Sequence, residues 1–292
     1  VLYETCSNHG KRRISKTLYE MVAWKVQKMK IYQIDAFTNE YFKGNPAGVC
    51  ILADSDNAND LLLQNIAAEM NLSETAFLVK KGDEYNLRWF TPETEVIFCG
   101  HATLSAAHVL WSLGLEDCKA KIIFNTKSGQ LFARKINDYI ELDFPSYEVY
   151  ESESNDLINE SFGIKPLFIG TDERRYLIEI LNYSDLVNIK PDYEKLKKVG
   201  RTAFMITCRS ENNQYDFYSR YFAPSVGINE DPVTGSAHSY LVPYWSKKLN
   251  KRVLNAYQAS KRGGEIQCEL TFDNRVLLRG KAVTIFEIEM KK

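Results

Sequence analysis

Residues 88–103 read R-W-F-T-P-E-T-E-V-I-F-C-G-H-A-T, and residues 220–239 carry the same phrase in altered form, R-Y-F-A-P-S-V-G-I-N-E-D-P-V-T-G-S-A-H-S. Arg88, Trp89, Phe90 and Pro92 match Arg220, Tyr221, Phe222 and Pro224 at an offset of 132, while Gly100 and Ala102 match Gly235 and Ala237 at an offset of 135. A small insertion accounts for the difference. One recurrence at about half the chain length does not make a solenoid, which stacks three or more short repeats. It implies two similar domains. If a pseudo-twofold axis relates them, Cys99-Gly100-His101 and Thr234-Gly235-Ser236 face each other across one cleft, and such clefts are preferred sites for small ligands.

The chain's 292 residues suit two domains of about 100 to 150 residues each. A hydrophobic content of 45% with 26% charge is that of a globular protein. No apolar run approaches the roughly 18 residues of a membrane span. Residues 1–28 differ from the rest, setting Lys11, Arg12, Arg13, Lys16, Lys25 and Lys28 against Glu4 and Glu20. The remainder is net acidic, with no general attraction for nucleic acid or anionic membranes. Residues 1–28 lack the apolar stretch of a secretory signal, and the two glutamates weaken a mitochondrial reading. We read them as an appendage outside the fold, with domains at 29–145 and 146–292. The last strand, about 281–291, is free to return to the first domain.

Cysteines at 6, 50, 99, 118, 208 and 268 form no C-x-x-C pair, and histidines at 9, 101, 108 and 238 show no metal-ligand spacing. Reduced thiols, a cytoplasmic location and no metal or other cofactor are the expectations.

Apolar alternation places strands at 30–37 and 47–53, joined by a turn-rich T-N-E-Y-F-K-G-N-P. Asn59 or Asp60 caps a helix ending near Met70. Strands follow at T-A-F-L-V-K and N-L-R-W-F, then a helix from His101 to Leu113 with Gly114 as its cap. In the second half, A-F-M-I-T-C and Y-D-F-Y-S-R-Y-F read as strands, 191–199 as a helix, and Ser236 to about Lys248 as the counterpart of the His101 helix. Strands outnumber helices and stand close enough for hairpins, which predicts an α+β chain with largely antiparallel sheets. The two long helices are apolar on more than one face, as expected when a sheet wraps around each.

Both repeated phrases put a glycine at the start of such a helix, where free N–H groups and the positive helix end hold a carboxylate or an enolate. Glycine also permits close approach of a ligand to the backbone. Glu74, in N-L-S-E between a helix and a strand, is a candidate proton carrier, although Glu69, Glu93 and Glu95 are locally similar. Cys99 precedes a helix start, where thiolates are stabilised, but its counterpart is Thr234, which is no proton-transfer partner. His101 suits either a general acid or a carboxylate-binding group. His108, two turns on, reads as core. Asp231 is either a turn former or the group that orients a substrate amine or a histidine. No G-x-S-x-G, Walker or dinucleotide fingerprint occurs.

Taken in order, M-K-I-Y-Q-I-D-A-F-T, G-N-P-A-G-V, N-L-S-E-T-A-F, the two repeated phrases and the closing R-G-K-A-V-T-I-F resemble the phenazine biosynthesis PhzF-like proteins of the diaminopimelate epimerase and proline racemase superfamily. The resemblance runs from Met29 to the C-terminus. It implies two β-barrels, each around a central helix, an active site between them, and commonly a homodimer. It assigns proton shuttling to Glu74, places His101, Asp231 and Ser236 in the site, and makes Gly100 and Gly235 the positions that supply backbone donors. It further implies a cofactor-independent isomerase that moves a proton along a small unsaturated cyclic amino acid, as in the isomerisation of dihydro-3-hydroxyanthranilate. Related racemases use two cysteines, of which this chain keeps Cys99 and has Thr234 in place of the other. One-base chemistry by Glu74 is therefore the leading expectation. The alternatives are a non-catalytic metabolite-binding protein and an amino-acid racemase or epimerase.

Overall fold

A computed structural model describes residues 29–52, 59–153 and 155–291. The segment 1–28, read above as an appendage, lies outside the described residues. In the first half, β1 (Lys30–Ala36), β2 (Asn45–Leu52), β3 (Glu74–Lys81), β4 (Glu84–Phe90), β5 (Glu95–Val96), β6 (Ile122–Thr126), β7 (Gly129–Ile136) and β8 (Tyr139–Pro145) accompany α1 (Asp60–Met70) and α2 (Gly100–Ser112). In the second, β9 (Tyr150–Glu151), β10 (Phe168–Thr171), β11 (Arg175–Glu179), β12 (Ala203–Arg209), β13 (Phe217–Ala223), β14 (Ile228–Asp231), β15 (Val253–Gln258), β16 (Gly264–Leu270), β17 (Arg275–Gly280) and β18 (Ala282–Glu289) accompany α3 (Asp156–Phe162), α4 (Tyr183–Asn188), α5 (Tyr193–Lys197) and α6 (Gly235–Leu249).

The halves repeat each other strand by strand. In the first, β2 runs parallel to β3, β3 antiparallel to β4, and β4 parallel to β6. The second repeats this with β11, β12, β13 and β15. The chain then crosses over after the last strand of each half: β18, which follows β17, pairs with β1 of the first half, and β9, which follows β8, pairs with β10 of the second. Between the halves β8 pairs antiparallel with β17, setting Leu142 opposite Leu278, so a pseudo-twofold axis passes between these strands. The expected α+β architecture, mostly antiparallel sheets curved around central helices, is therefore observed. The two sheets join through β8 and β17 into one continuous sheet.

Each sheet has two buried faces. The inner faces close on α2 and α6, in one core containing Trp89, Leu104, Leu110, Phe144, Leu241 and Trp245. Small residues make this possible, since α2 carries Ala102, Ser105, Ala106 and Ala107 where strands approach it. The outer faces are covered by α1 in the first half and by α3, α4 and α5 in the second. This double burial explains why β12 is apolar along nearly its whole length rather than alternating.

Asn59 caps α1 through its side chain, as read from the sequence. The long helices begin at Gly100 and Gly235, one residue before the expected His101 and Ser236, because Cys99 and Thr234 are the extended cap residues. Pro243 lies inside α6 and cannot bond back to Ser239. The freed Ser239 carbonyl accepts instead from the Tyr147 N–H at 2.9 Å, which ties the connection between the halves to the helix. Two short helices, α3 and α4, escaped the sequence reading because a few residues carry too little periodicity. His108 is also corrected: it is only partly buried, and its Nε2 lies 3.0 Å from the Thr284 hydroxyl of β18.

Candidate active site

The two helix starts meet at the pseudo-axis. A Cβ placed on Gly100 would lie 3.7 Å from the Gly235 Cα and 2.9 Å from the Phe144 ring. Neither cap residue bonds its own helix through its side chain. The first-turn N–H groups of α2 and α6 are thus brought to one place without a side-chain cap over them.

Around this point the first half supplies Asn45, Glu74, Cys99 and His101, and the second supplies Asp231, Thr234 and Gln258. Glu74 opens β3, and its carboxylate lies 3.2 Å from Nε2 of His101. On the other edge of the imidazole, Nδ1 lies 3.5 Å from the Cys99 sulphur. The Asn45 amide donates to Asp231 Oδ1 at 2.8 Å and to the Val233 carbonyl at 2.9 Å. Those bonds use both amide hydrogens, so the longer approach of Asn45 to His101 Nδ1, 3.2 Å, is compatible with a proton on that nitrogen. Thr234 donates its hydroxyl to Asp231 Oδ2 at 2.5 Å. Gln258, fully buried, clamps the turn, accepting from the Thr234 N–H and donating to the Asp231 carbonyl.

Burial and charge act against each other here. Burial pushes Asp231 up to about 6, against the lowering influence of His101 and the Thr234 and Asn45 bonds, while Glu74 adds to the rise. Burial likewise pushes the Cys99 thiol to about 11, leaving it a neutral thiol near pH 7. For His101 burial opposes the charged form, but Cys99 and Glu74 outweigh it and the imidazole is held well above its ordinary value. The contact between Glu74 Oε2 and His101 Nε2 is close but not aligned as a hydrogen bond, and both atoms are buried without a hydrogen-bond partner.

The sheet registers identify the pseudo-symmetric counterparts. Phe90 pairs with Thr75, and Phe222 with Phe204, so the residue before each strand partner equates Glu74 with Ala203. Ala47 pairs with Glu74 and Arg175 with Ala203, which equates Ala47 with Arg175. The repeated phrase equates His101 with Ser236 and Cys99 with Thr234. Glu74, Cys99 and His101 therefore stand on the first half, opposite Ala203, a Thr234 whose hydroxyl is engaged, and Ser236.

Of the glutamates that local sequence does not separate, Glu69 and Glu93 are exposed. Glu95 is bound by both arms of Arg88, whose hydrogen bonds lower it to about 2. Ser236 is partly buried beside Gly235 at the start of α6. Asn45 and Gln258 were not singled out from sequence. Asn45 reads as a turn residue in G-N-P, and Gln258 carries no local signal, since its role depends on a turn more than twenty residues earlier.

Histidine spacing also failed to reveal a cluster that could hold a metal: donor atoms of Glu74, Cys99 and His101 lie within 4.8 Å of one another. The arrangement does not fit one ion. Nδ1 faces the cysteine and Nε2 the glutamate, so a single imidazole nitrogen cannot share an ion with both unless the ring turns.

Two pseudo-symmetric halves, each a curved sheet around a central helix, with helix starts meeting at the axis, define the proline racemase-like fold class. A probable proline racemase from Agrobacterium radiobacter shares this fold with a TM-score of 0.60 over 89% of this chain and 92% of its own, at 10% identity. The chain belongs to the phenazine biosynthesis-like protein family, whose model matches residues 34–288. It is 50% identical over 262 residues to an uncharacterized isomerase of Halalkalibacterium halodurans, covering 89% of this chain and 97% of that one. It is 41% identical to a human phenazine biosynthesis-like domain-containing protein, covering 89% and 98%. A solved PhzF family structure from Enterococcus faecalis has a TM-score of 0.85 at 39% identity, covering 89% and 98%.

Proposed function

We propose that the chain is an isomerase that shifts a proton within a small cyclic or unsaturated amino or carboxylic acid, with Glu74 as its single base. The observation that carries this reading is the asymmetry of the site. The buried Glu74 carboxyl group lies 3.2 Å from the His101 imidazole, while the pseudo-symmetric positions hold Ala203 and Ser236. A two-base racemase needs a proton-transfer group on each face of its substrate. Thr234 does not titrate and its hydroxyl is already given to Asp231.

In this mechanism the substrate carboxylate lies against the N–H groups at Gly100 and Gly235, which stabilise charge as it develops. His101 holds one oxygen of the Glu74 carboxylate, and the other oxygen takes a proton from a substrate carbon. The protonated Glu74 then returns that proton to another carbon on the same face. Asp231, fixed by Asn45 and Thr234, accepts a hydrogen bond from the substrate amine. Burial of these groups strengthens every charge interaction among them.

The test is proton exchange by NMR in D2O with a panel of small cyclic and unsaturated amino acids, dihydro-3-hydroxyanthranilate among them, using wild type and Glu74→Gln. Conversion or deuterium uptake that the variant loses by about 10²-fold or more supports the reading. Tight binding without any exchange supports a metabolite-binding protein instead.

A further inference from the structure

The second half of the site holds Ala203, Thr234 and Ser236 where the first holds Glu74, Cys99 and His101, and it carries a cation where the first has Ala47. Arg175 occupies the position equivalent to Ala47, one strand from Ala203, and so lies on the wall across the pseudo-axis from Glu74. Its Nη1 donates to the Tyr240 hydroxyl at 2.6 Å, and the guanidinium lies 5.2 Å from the centre of that ring. Tyr240 in turn donates to Asp172 at 2.7 Å. Tyr221 is a second phenol interacting with Arg175, and it pairs across the sheet with Asp231. Burial raises Tyr221 to about 12, so it stays a protonated donor through the physiological range.

The surroundings of Arg175 differ from those of Arg88, Arg220 and Arg279, which are each held by one or two carboxylates. Among the described residues no carboxylate forms an ion pair with Arg175; Asp172 is taken up by Tyr240 and by the backbone N–H groups of Arg174 and Arg175. A partly buried guanidinium with no direct carboxylate partner, beside two phenols, can receive a carboxylate, because its planar fork matches both oxygens; the charge of Asp172 reaches it only across the Tyr240 bridge. Tyr240 lies five residues into α6, about 7.5 Å along the axis from the helix start, which one small molecule can span. Ala203 and Ser236 are smaller than Glu74 and His101, whose equivalent positions they hold.

We propose that Arg175, with Tyr221 and Tyr240, binds a second anionic group of the substrate, so that the physiological substrate is a small unsaturated or cyclic acid with two carboxylates. This rests on the proton-shift reading for the site but concerns recognition alone. Arg175 is a specificity residue, since the first carboxylate and the reacting carbon are held elsewhere.

The experiment measures binding by calorimetry to Glu74→Gln, which separates recognition from turnover. The probes are small unsaturated and cyclic amino acids in matched pairs, identical except that one has a second carboxylate and the other a carboxamide. The diacid binds about tenfold or more tightly than its amide partner. Adding Arg175→Gln removes that preference while leaving the amide's affinity in place, Arg175→Lys restores part of it, and Tyr221→Phe reduces it without abolishing it. Equal affinities within every pair, or equal weakening of both members by Arg175→Gln, would overturn the assignment. Loss of the preference in Arg175→Gln stands even if wild type shows no exchange, so the two readings fail separately.

Discussion

At the scale of single residues, the site is a set of buried titratable groups whose environments push them apart. Asp231, raised to about 6 by burial, should set the acid limb of the free enzyme, so kcat/KM falls as pH drops below about 6. Asp231→Asn should remove that limb and lower the rate; an unchanged limb would assign it to another group. Asp231 also bears on stability, and the sign is opposite to that of an ordinary ion-paired carboxylate. Its folded value lies above its unfolded one, so the folded state binds more protons between about pH 4 and 6, and stability is lost as pH rises through that window. From 3.8 to about 6 the loss is at most about 3 kcal/mol. His101, also raised, contributes stability that is fully present below its unfolded value and is lost as pH rises from there through its folded value. Thermal melts of the ligand-free protein should thus show Asp231→Asn gaining on wild type as pH rises from 4 to 7.

At the scale of elements, the repeated phrase has a structural and a chemical part. Arg88 bonds Glu95, and their counterparts Arg220 and Glu230 bond at 2.7 and 2.9 Å, so each arginine ties its long strand to the segment that enters the central helix. Arg220 also donates to the Leu186 and Ile189 carbonyls. Arg220→Met should cost about 3 to 5 kcal/mol, since it strands a partly buried glutamate, and a urea titration measures it. Gly100→Ala should cost about 1 to 3 kcal/mol by pressing a methyl onto Phe144. The duplication, both long helices and the Asn59 cap were legible, because they rest on periodicity and capping chemistry, while Glu74, Cys99, His101 and Asp231, which the fold brings together, were singled out by short motifs and the family resemblance they carry. Asn45 and Gln258 were not, because their importance comes from partners far along the chain. Nor was the isolation of Glu95 from the site, which depends on the Arg88 fork.

At the scale of the molecule, the exchanged strands make each half depend on the other. β18 covers the edge of β1 with bonds from Lys30 to Ala36, and β8 and β17 join the halves, reinforced by Arg279 bonding Glu141 at 2.8 Å. Unfolding should therefore be one cooperative transition, with a fluorescence signal from Trp89 in the first half and one from Trp245 in the second changing at the same denaturant concentration. Two separated transitions would contradict this coupling. On the one-base reading the same junction sets the chemistry, because it brings the helix starts together while Glu74 stands on one side only. The most direct measurement compares D2O exchange in Glu74→Gln and Cys99→Ala with wild type, on any substrate the panel identifies. One-base chemistry predicts that exchange vanishes in Glu74→Gln and survives in Cys99→Ala; exchange that survives the first change and vanishes in the second would contradict it.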